Sequence, residues 1–220
     1  MTENRTKRRY DASRRQSQAR ETRRLILEAA YQLFTTRGYE GATMEALAQA
    51  AGVAVETVYA AFGSKRAVLA QLVDTAVGGD DEQIALLDRP EQRQVREETN
   101  QQQQIRFFAH GMCEIMGRVG PLFGVMRGAS LAEPEIAELL QRLLHTRHET
   151  LAEFVEWVQR NGPLRTGLST EQATDTVWAL SSAEVHHLLT VDRGWTPERY
   201  EQWLSSALIA LLLPTAASPA

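Results

Sequence analysis

Residues 43–65 read TMEALAQAAGVAVETVYAAFGSK, and this stretch decides the fold. Two short helical patterns flank a single glycine, Gly52, with Ala48 four residues before it and Val58 six after. A small residue on the first helix lets the second approach. A glycine at the corner can take the positive φ that ends a helix. Leu47, Ala51, Val53 and Val58 then close a small core between the two helices. This is the pattern of a helix-turn-helix, whose second helix enters the major groove of DNA. Thr43 is placed to cap the first helix, Met44–Ala51, and the second spans about Val55–Ala61.

Working outward, Arg20–Arg37 carries Leu25, Ile26, Ala29, Ala30, Leu33 and Phe34 at helical spacing, and Gly38 is a stop. Ser64 can cap a fourth helix reaching Gly78-Gly79. Residues 1–19 hold six of the chain's Lys and Arg and almost no apolar side chains, so a disordered basic arm is expected there. Residues 80–104 read as a polar loop. A helical segment from Ile105 to Arg118 is broken by Gly120-Pro121, and a short helix follows from about Leu122. Glu133-Pro134 opens a long helix that ends at Asn161-Gly162-Pro163. Ser169 and Gln172 form a capping-box pattern, and Thr196-Pro197-Glu198 starts the last helix, which stops at Pro214. No segment alternates as a strand. The expectation is an all-α chain of about nine helices: arm 1–19, DNA-binding head 20–66, larger body 67–213 and tail 214–220.

Charge is divided in the same way. The whole chain carries a net −4, which alone argues against nucleic acid. Residues 1–66, however, hold twelve Lys and Arg against seven Asp and Glu, whereas residues 67–220 hold twelve against twenty-one. A basic head on an acidic body keeps phosphate affinity at one end. One cysteine, Cys113, excludes an intrachain disulfide, and no metal-ligand spacing stands out. The longest apolar run, Ala207–Leu213, is short of the roughly 20 residues that span a bilayer. The basic N-terminus has no apolar stretch behind it, so a cytoplasmic protein with no membrane partner is expected.

The head resembles the TetR family of transcriptional regulators. The matching residues are the helix from Arg23 to Gly38, then Tyr39, Thr43, Leu47–Val53, Thr57, Val58, Tyr59, Phe62, Lys65 and Leu69. The resemblance implies a homodimeric repressor that binds a palindromic operator and is released by a small effector. It implies DNA contacts from Thr43, Val55, Glu56, Thr57, Tyr59 and Lys65, the first and last holding phosphates at helix N-termini. Two departures stand out. Ala54 replaces the usual serine cap, and Ala60 and Ala61 occupy positions that are often polar or aromatic. The recognition helix therefore has no Arg, Lys, Asn or Gln to read a base edge. Glu56 can accept from a cytosine amine, and Val55 and the alanines can pack on thymine methyls.

Under the same resemblance the body must dimerise and bind an effector. Ala179, Ala183, His187, Trp203, Ala207 and Leu211 are the candidate dimer face. Phe108, Met112, Met116, Phe123, Met126 and Trp157, beside Phe107 and Cys113, gather soft and aromatic groups suited to an amphipathic effector. Arg127, Glu184 and His186 are the expected polar anchors. No cofactor is called for. The histidine pairs His145/His148 and His186/His187 lack added ligands at metal spacing, and nucleotide-loop and serine-hydrolase motifs are absent, so an enzyme is not expected. A DNA-binding regulator without an effector, controlled by a partner protein or by abundance, is the other class left open.

Overall fold

The computed structural model describes residues 3–80 and 86–214, and side chains from Ser17 onward. Among these residues there are no strands, and no helix is long and apolar enough to cross a membrane. Nine helices have eight or more residues, and a five-residue turn adds a tenth. The chain divides into two compact units, Met1–Asp74 and Thr75–Ala220, with the division inside the fourth helix rather than at its start.

The first unit begins with α1, Glu3–Gly41, which breaks at Gly38, where φ is 72°. The backbone over residues 3–19 is helical, where low apolar content predicts a disordered arm. Composition gives the reason: no glycine or proline occurs before Gly38, and Arg, Lys, Gln, Glu and Ala are all good helix formers. The buried stripe is Ile26, Leu27, Ala30, Leu33 and Phe34; Leu25, expected within it, is 37% exposed. After α2 (Met44–Ala51) and α3 (Val55–Phe62), α4 runs Lys65–Gly78. Leu47, Ala48, Val58, Val68 and Leu69 are buried in the unit.

The second unit is built on two long helices that pack on each other, α6 (Gln101–Ala129) and α7 (Pro134–Arg160). Between α4 and α6 lies α5, Pro90–Glu97, within the stretch expected to be loop. Asn100 caps α6 by accepting from the Gln103 amide at 3.0 Å, so the glutamine run is helix, not linker. Buried Gln104 donates to Val95 O at 2.9 Å and accepts from Asn161 Nδ2 at 3.0 Å, tying α5, α6 and the end of α7 together.

Pro121 does not break α6. Proline removes one backbone donor and crowds the carbonyl four residues earlier. Here that residue is Gly117, and both positions face solvent, where water can take the freed carbonyl. On the opposite side Val119, Leu122 and Phe123 are buried and hold the helix. The expected helix from Ser169 is instead divided into α8 (Thr170–Leu180) and the short α9 (Ala183–His187), which runs into a π-helical turn, Leu188–Asp192. Ser182 causes the division by capping α9 through Val185 N at 3.3 Å. The last helix, α10 (Pro197–Leu212), packs on α6 and α8. Its Tyr200, Leu204, Leu208 and Leu212 join Phe108, Trp157, Val158 and Val177 in one core.

Candidate functional site

The corner between α2 and α3 is held by backbone geometry. Gly52 sits at φ 68°, ψ 31°, and Val53 N donates back to Ala48 O at 3.0 Å. That six-to-one bond is a Schellman ending, with Val53 as the apolar residue just beyond it. Thr43 Oγ1 accepts from Ala46 N at 3.1 Å and starts α2. α3 starts without a side-chain cap, because Ala54 has nothing to offer. Its far end is fastened instead by Arg23, whose Nη1 donates to Ala61 O while the guanidinium lies 4.3 Å from the Phe62 ring centroid. Val58 is wholly buried and pins α3 to the unit, which leaves Ala54, Glu56, Tyr59 and Ala60 exposed. Tyr59 is 48% exposed, so its ring does not pack into the head.

Of the predicted DNA-contacting residues, Thr43, Glu56 and Tyr59 are exposed, while Val55, Thr57 and Lys65 are partly buried. Lys65 Nζ donates to Tyr39 O at 2.7 Å and sits 4.0 Å from the Tyr39 ring centroid. The ammonium is thus fixed in place at the N-terminus of α4, with one of its protons committed. Tyr39 in turn stacks on Phe34 at 5.9 Å.

In the second unit the predicted effector residues separate. Phe108 and Trp157 lie in the packed core, with Phe108 stacked 3.9 Å from Phe154. Met112 packs at its edge, and Met116, Phe123 and Met126 are buried on α6. Arg127 and Glu184, expected as inward anchors, bind each other at the surface, each about half exposed. Long charged side chains on two helix rims meet there at less desolvation cost than inside. His186 is the expected anchor that turns inward: its ring meets Tyr200 edge-on at 4.8 Å, and burial, then the neighbouring His187, hold its pKa below the ordinary value. Two surface clefts, of about 480 Å³ beside Arg165–Leu168 and about 240 Å³ beside Arg89 and Arg118, include none of the predicted effector residues.

Sequence reasoning missed Arg147. It is mostly buried on α7, and its Nη2 donates to Trp178 O at 3.0 Å and Ser181 Oγ at 2.8 Å. Arg147 stands in a run of charged and polar residues that reads as a solvated face, so no local signal marked it. Among the candidate dimer residues, Ala179, His187 and Leu211 are exposed, and Ala183, Trp203 and Ala207 partly so. Trp203, Ser206, Ala207, Ala210 and Leu211 share one face of α10 by spacing, and none of the five is buried. Cys113 is buried with its pKa pushed up to about 11 by burial, an inert thiol rather than a reactive one.

A capped α2, a glycine corner and an anchored α3 with an open face define a helix-turn-helix DNA-binding protein. Residues 26–72 match the family described as bacterial regulatory proteins, tetR family. The chain is 26% identical over 199 residues to the HTH-type transcriptional repressor BepR of Brucella suis, covering 83% of this chain and 87% of that protein. Its fold is similar to NalD, described as the secondary repressor of the MexAB-OprM multidrug efflux pump in Pseudomonas aeruginosa, at 18% identity and TM-score 0.65 over 90% of this chain and 98% of that one. It is also similar to FadR of Bacillus subtilis, solved with stearoyl-CoA, at 17% identity and TM-score 0.65 over 84% and 97%. Together these similarities support a TetR-family transcriptional regulator, whose DNA-binding region is the part that the family matches.

Proposed function

We propose that the protein is a repressor that binds a palindromic operator as a homodimer and leaves it when a small amphipathic molecule occupies the second unit. The observation that carries the DNA half is the corner itself: a Schellman-ended α2 holds an α3 that buries only Val58 and turns Glu56, Tyr59 and Ala60 outward. A helix so held has its outer face free for a groove. In this reading Thr43 and Lys65 meet phosphates, Glu56 accepts from a cytosine amine, and Val55 and the alanines meet thymine methyls. The basic residues before α1's buried stripe add phosphate affinity.

Dimerisation is assigned to α8 and α10. The face Trp203–Ala207–Leu211 offers apolar and small side chains that stay partly or wholly exposed, although Trp203 also packs against the unit's core. Ligands named for related folds, such as stearoyl-CoA, support an amphipathic effector, as do the buried Met and Phe side chains of α6. A ligand that favours one dimer geometry over the other shifts the spacing of the two recognition helices.

Selection of the full chain on randomised duplex DNA tests this. The expected product is an inverted repeat whose half-sites lie about 34–36 Å apart, one helical turn or a multiple of it. Enrichment of a lone half-site, or of no sequence, refutes the palindromic reading.

A further inference from the structure

Within the second unit Arg147 is a part-buried cation that forms no ion pair among the described residues. Arg147 Nη2 is satisfied by Trp178 O and Ser181 Oγ, at the C-terminal turn of α8, where free carbonyls favour a positive charge. That accounts for one of three nitrogens. Nε and Nη1 have no hydrogen-bond partner among the described residues, and neither is fully buried. Glu184, whose charge reaches Arg147, is bound to Arg127. Burial draws the guanidinium's pKa down to about 10, with the Glu184 charge opposing that shift.

Two more donors stand in the same cluster without acceptors. The Tyr200 side chain is wholly buried, and its hydroxyl has no partner; nor does the Trp178 indole nitrogen. Tyr200 lies within electrostatic reach of Arg147, and the Arg147 guanidinium is 5.6 Å from the Trp178 ring centroid. Against Tyr200 stands His186, whose Nδ1 faces Gly120; a Cβ there would come within 3.7 Å of it. Leaving buried donors unanswered is costly, and buried polar groups in folded proteins are almost always paired. Water can answer a hydroxyl or an indole, but it brings no charge to a guanidinium. A carboxylate suits such donors, since it accepts at about four lone-pair positions and matches the planar arginine fork. A single guanidinium without an ion-pair partner also fits a monoanion better than a phosphate dianion.

We propose that Arg147, Tyr200 and Trp178 form the anion-reading end of the effector site, so that the effector is an amphipathic organic acid whose carboxylate they hold. Its apolar body lies against Phe108 and Met112 of the same cluster. This rests on the ligand-released reading above and narrows its ligand to one charge type.

The test uses three probes of matched chain length with the full protein: decanoate, methyl decanoate and decyltrimethylammonium. Thermal stability and release of the selected operator are read in the same samples. Decanoate raises the melting temperature and releases DNA; the ester and the ammonium bind more weakly. Arg147→Gln weakens decanoate roughly tenfold to a hundredfold, the loss of charge-assisted bonds. Because that change also disturbs the end of α8, Tyr200→Phe serves as the second variant. It removes a hydroxyl that nothing in the chain binds, so the unliganded melting temperature stays or rises while decanoate binds roughly threefold to tenfold more weakly. Equal response to decanoate and its ester, no response to decanoate, or unchanged decanoate affinity in both variants overturns the inference. If the ester or ammonium alone releases the operator, ligand release stands and the anion site falls. If decanoate binds through Arg147 and Tyr200 but the operator stays bound, the site stands and the release reading falls.

Discussion

Replacing Gly52 by alanine isolates the backbone requirement at the corner of the DNA-binding motif. Gly52 holds φ 68°, and a Cβ built there meets nothing within 4 Å. Steric crowding is therefore not the cost. What remains is the left-handed conformation itself, about 1–2 kcal/mol for a residue with a side chain. Alanine also restricts the unfolded chain, which returns about 0.4–1 kcal/mol. The net expectation is a loss of about 1 kcal/mol, confined to the first unit. Asparagine tolerates the left-handed region, so Gly52→Asn should cost less than half as much. All four tryptophans lie between Trp157 and Trp203, so fluorescence reports the second unit only. Hydrogen exchange across residues 47–58 reports the corner directly. Protection there should fall roughly fivefold in Gly52→Ala, with tryptophan fluorescence unchanged. Unchanged protection in Gly52→Ala, or equal losses for alanine and asparagine, would sink the positive-φ argument.

Three further outcomes are expected. Removing residues 1–18 weakens operator binding and lowers its salt slope by about 0.9 for each arm cation that had neutralised a phosphate; an unchanged slope in a salt titration shows that the arm takes no part. Leu211→Glu places a charge on the open face of α10 and weakens self-association by roughly a hundredfold in sedimentation, with little change in the monomer's circular dichroism, since Leu211 is 37% exposed. His186, held below its ordinary pKa mainly by burial, is favoured neutral in the folded chain. The unfolded chain therefore binds its proton first. The stability His186 supports is intact above about pH 6.5 and falls as pH drops below it, so His186→Asn should flatten a melting-temperature profile between about pH 7 and 5.

Those parts of the chain where a local rule decides the structure were legible. Thr43, Gly52, Ser64, Ser169 with Gln172, and Thr196 all act at the ends where their chemistry places them, and the capping box closes through both of its bonds, 3.1 and 3.2 Å. The misreadings share a different cause. α5 buries only Val95 of its eight residues and begins after Arg89, which supplies no cap, so it has no apolar periodicity and its start rests on Pro90 and Glu91 alone. It is held from outside, by Gln104 and by the Arg89–Asp80 pair, two hydrogen bonds of 2.8 and 2.9 Å. Pro121 reads as a stop until the burial of its neighbours is known. Arg127 and Arg147 look alike in sequence; which one faces the core depends on helix rotation about the α6–α7 and α7–α8 contacts.

The same division governs how the protein meets DNA. Most of what positions α3 was visible: the glycine corner, Val58 and the head's small core, but not the hold of Arg23 on Ala61 O and Phe62. What the helix says to a base pair is sparse, because its exposed face offers one acid, one tyrosine and one alanine, beside the exposed cap residue Ala54. The acid can discriminate only by accepting from cytosine, and it repels phosphates that approach in a wrong register. Affinity must then come from cations placed off the helix. Lys65 is one whose position is fixed before DNA arrives, by its bond to Tyr39 O and by the aromatic ring beneath it. A pre-placed ammonium loses little side-chain freedom on meeting phosphate, so the head can grip firmly while reading lightly. Under the dimeric, ligand-released reading proposed above, specificity depends on two heads held at one spacing, and a change of that spacing has no strong base contacts to break.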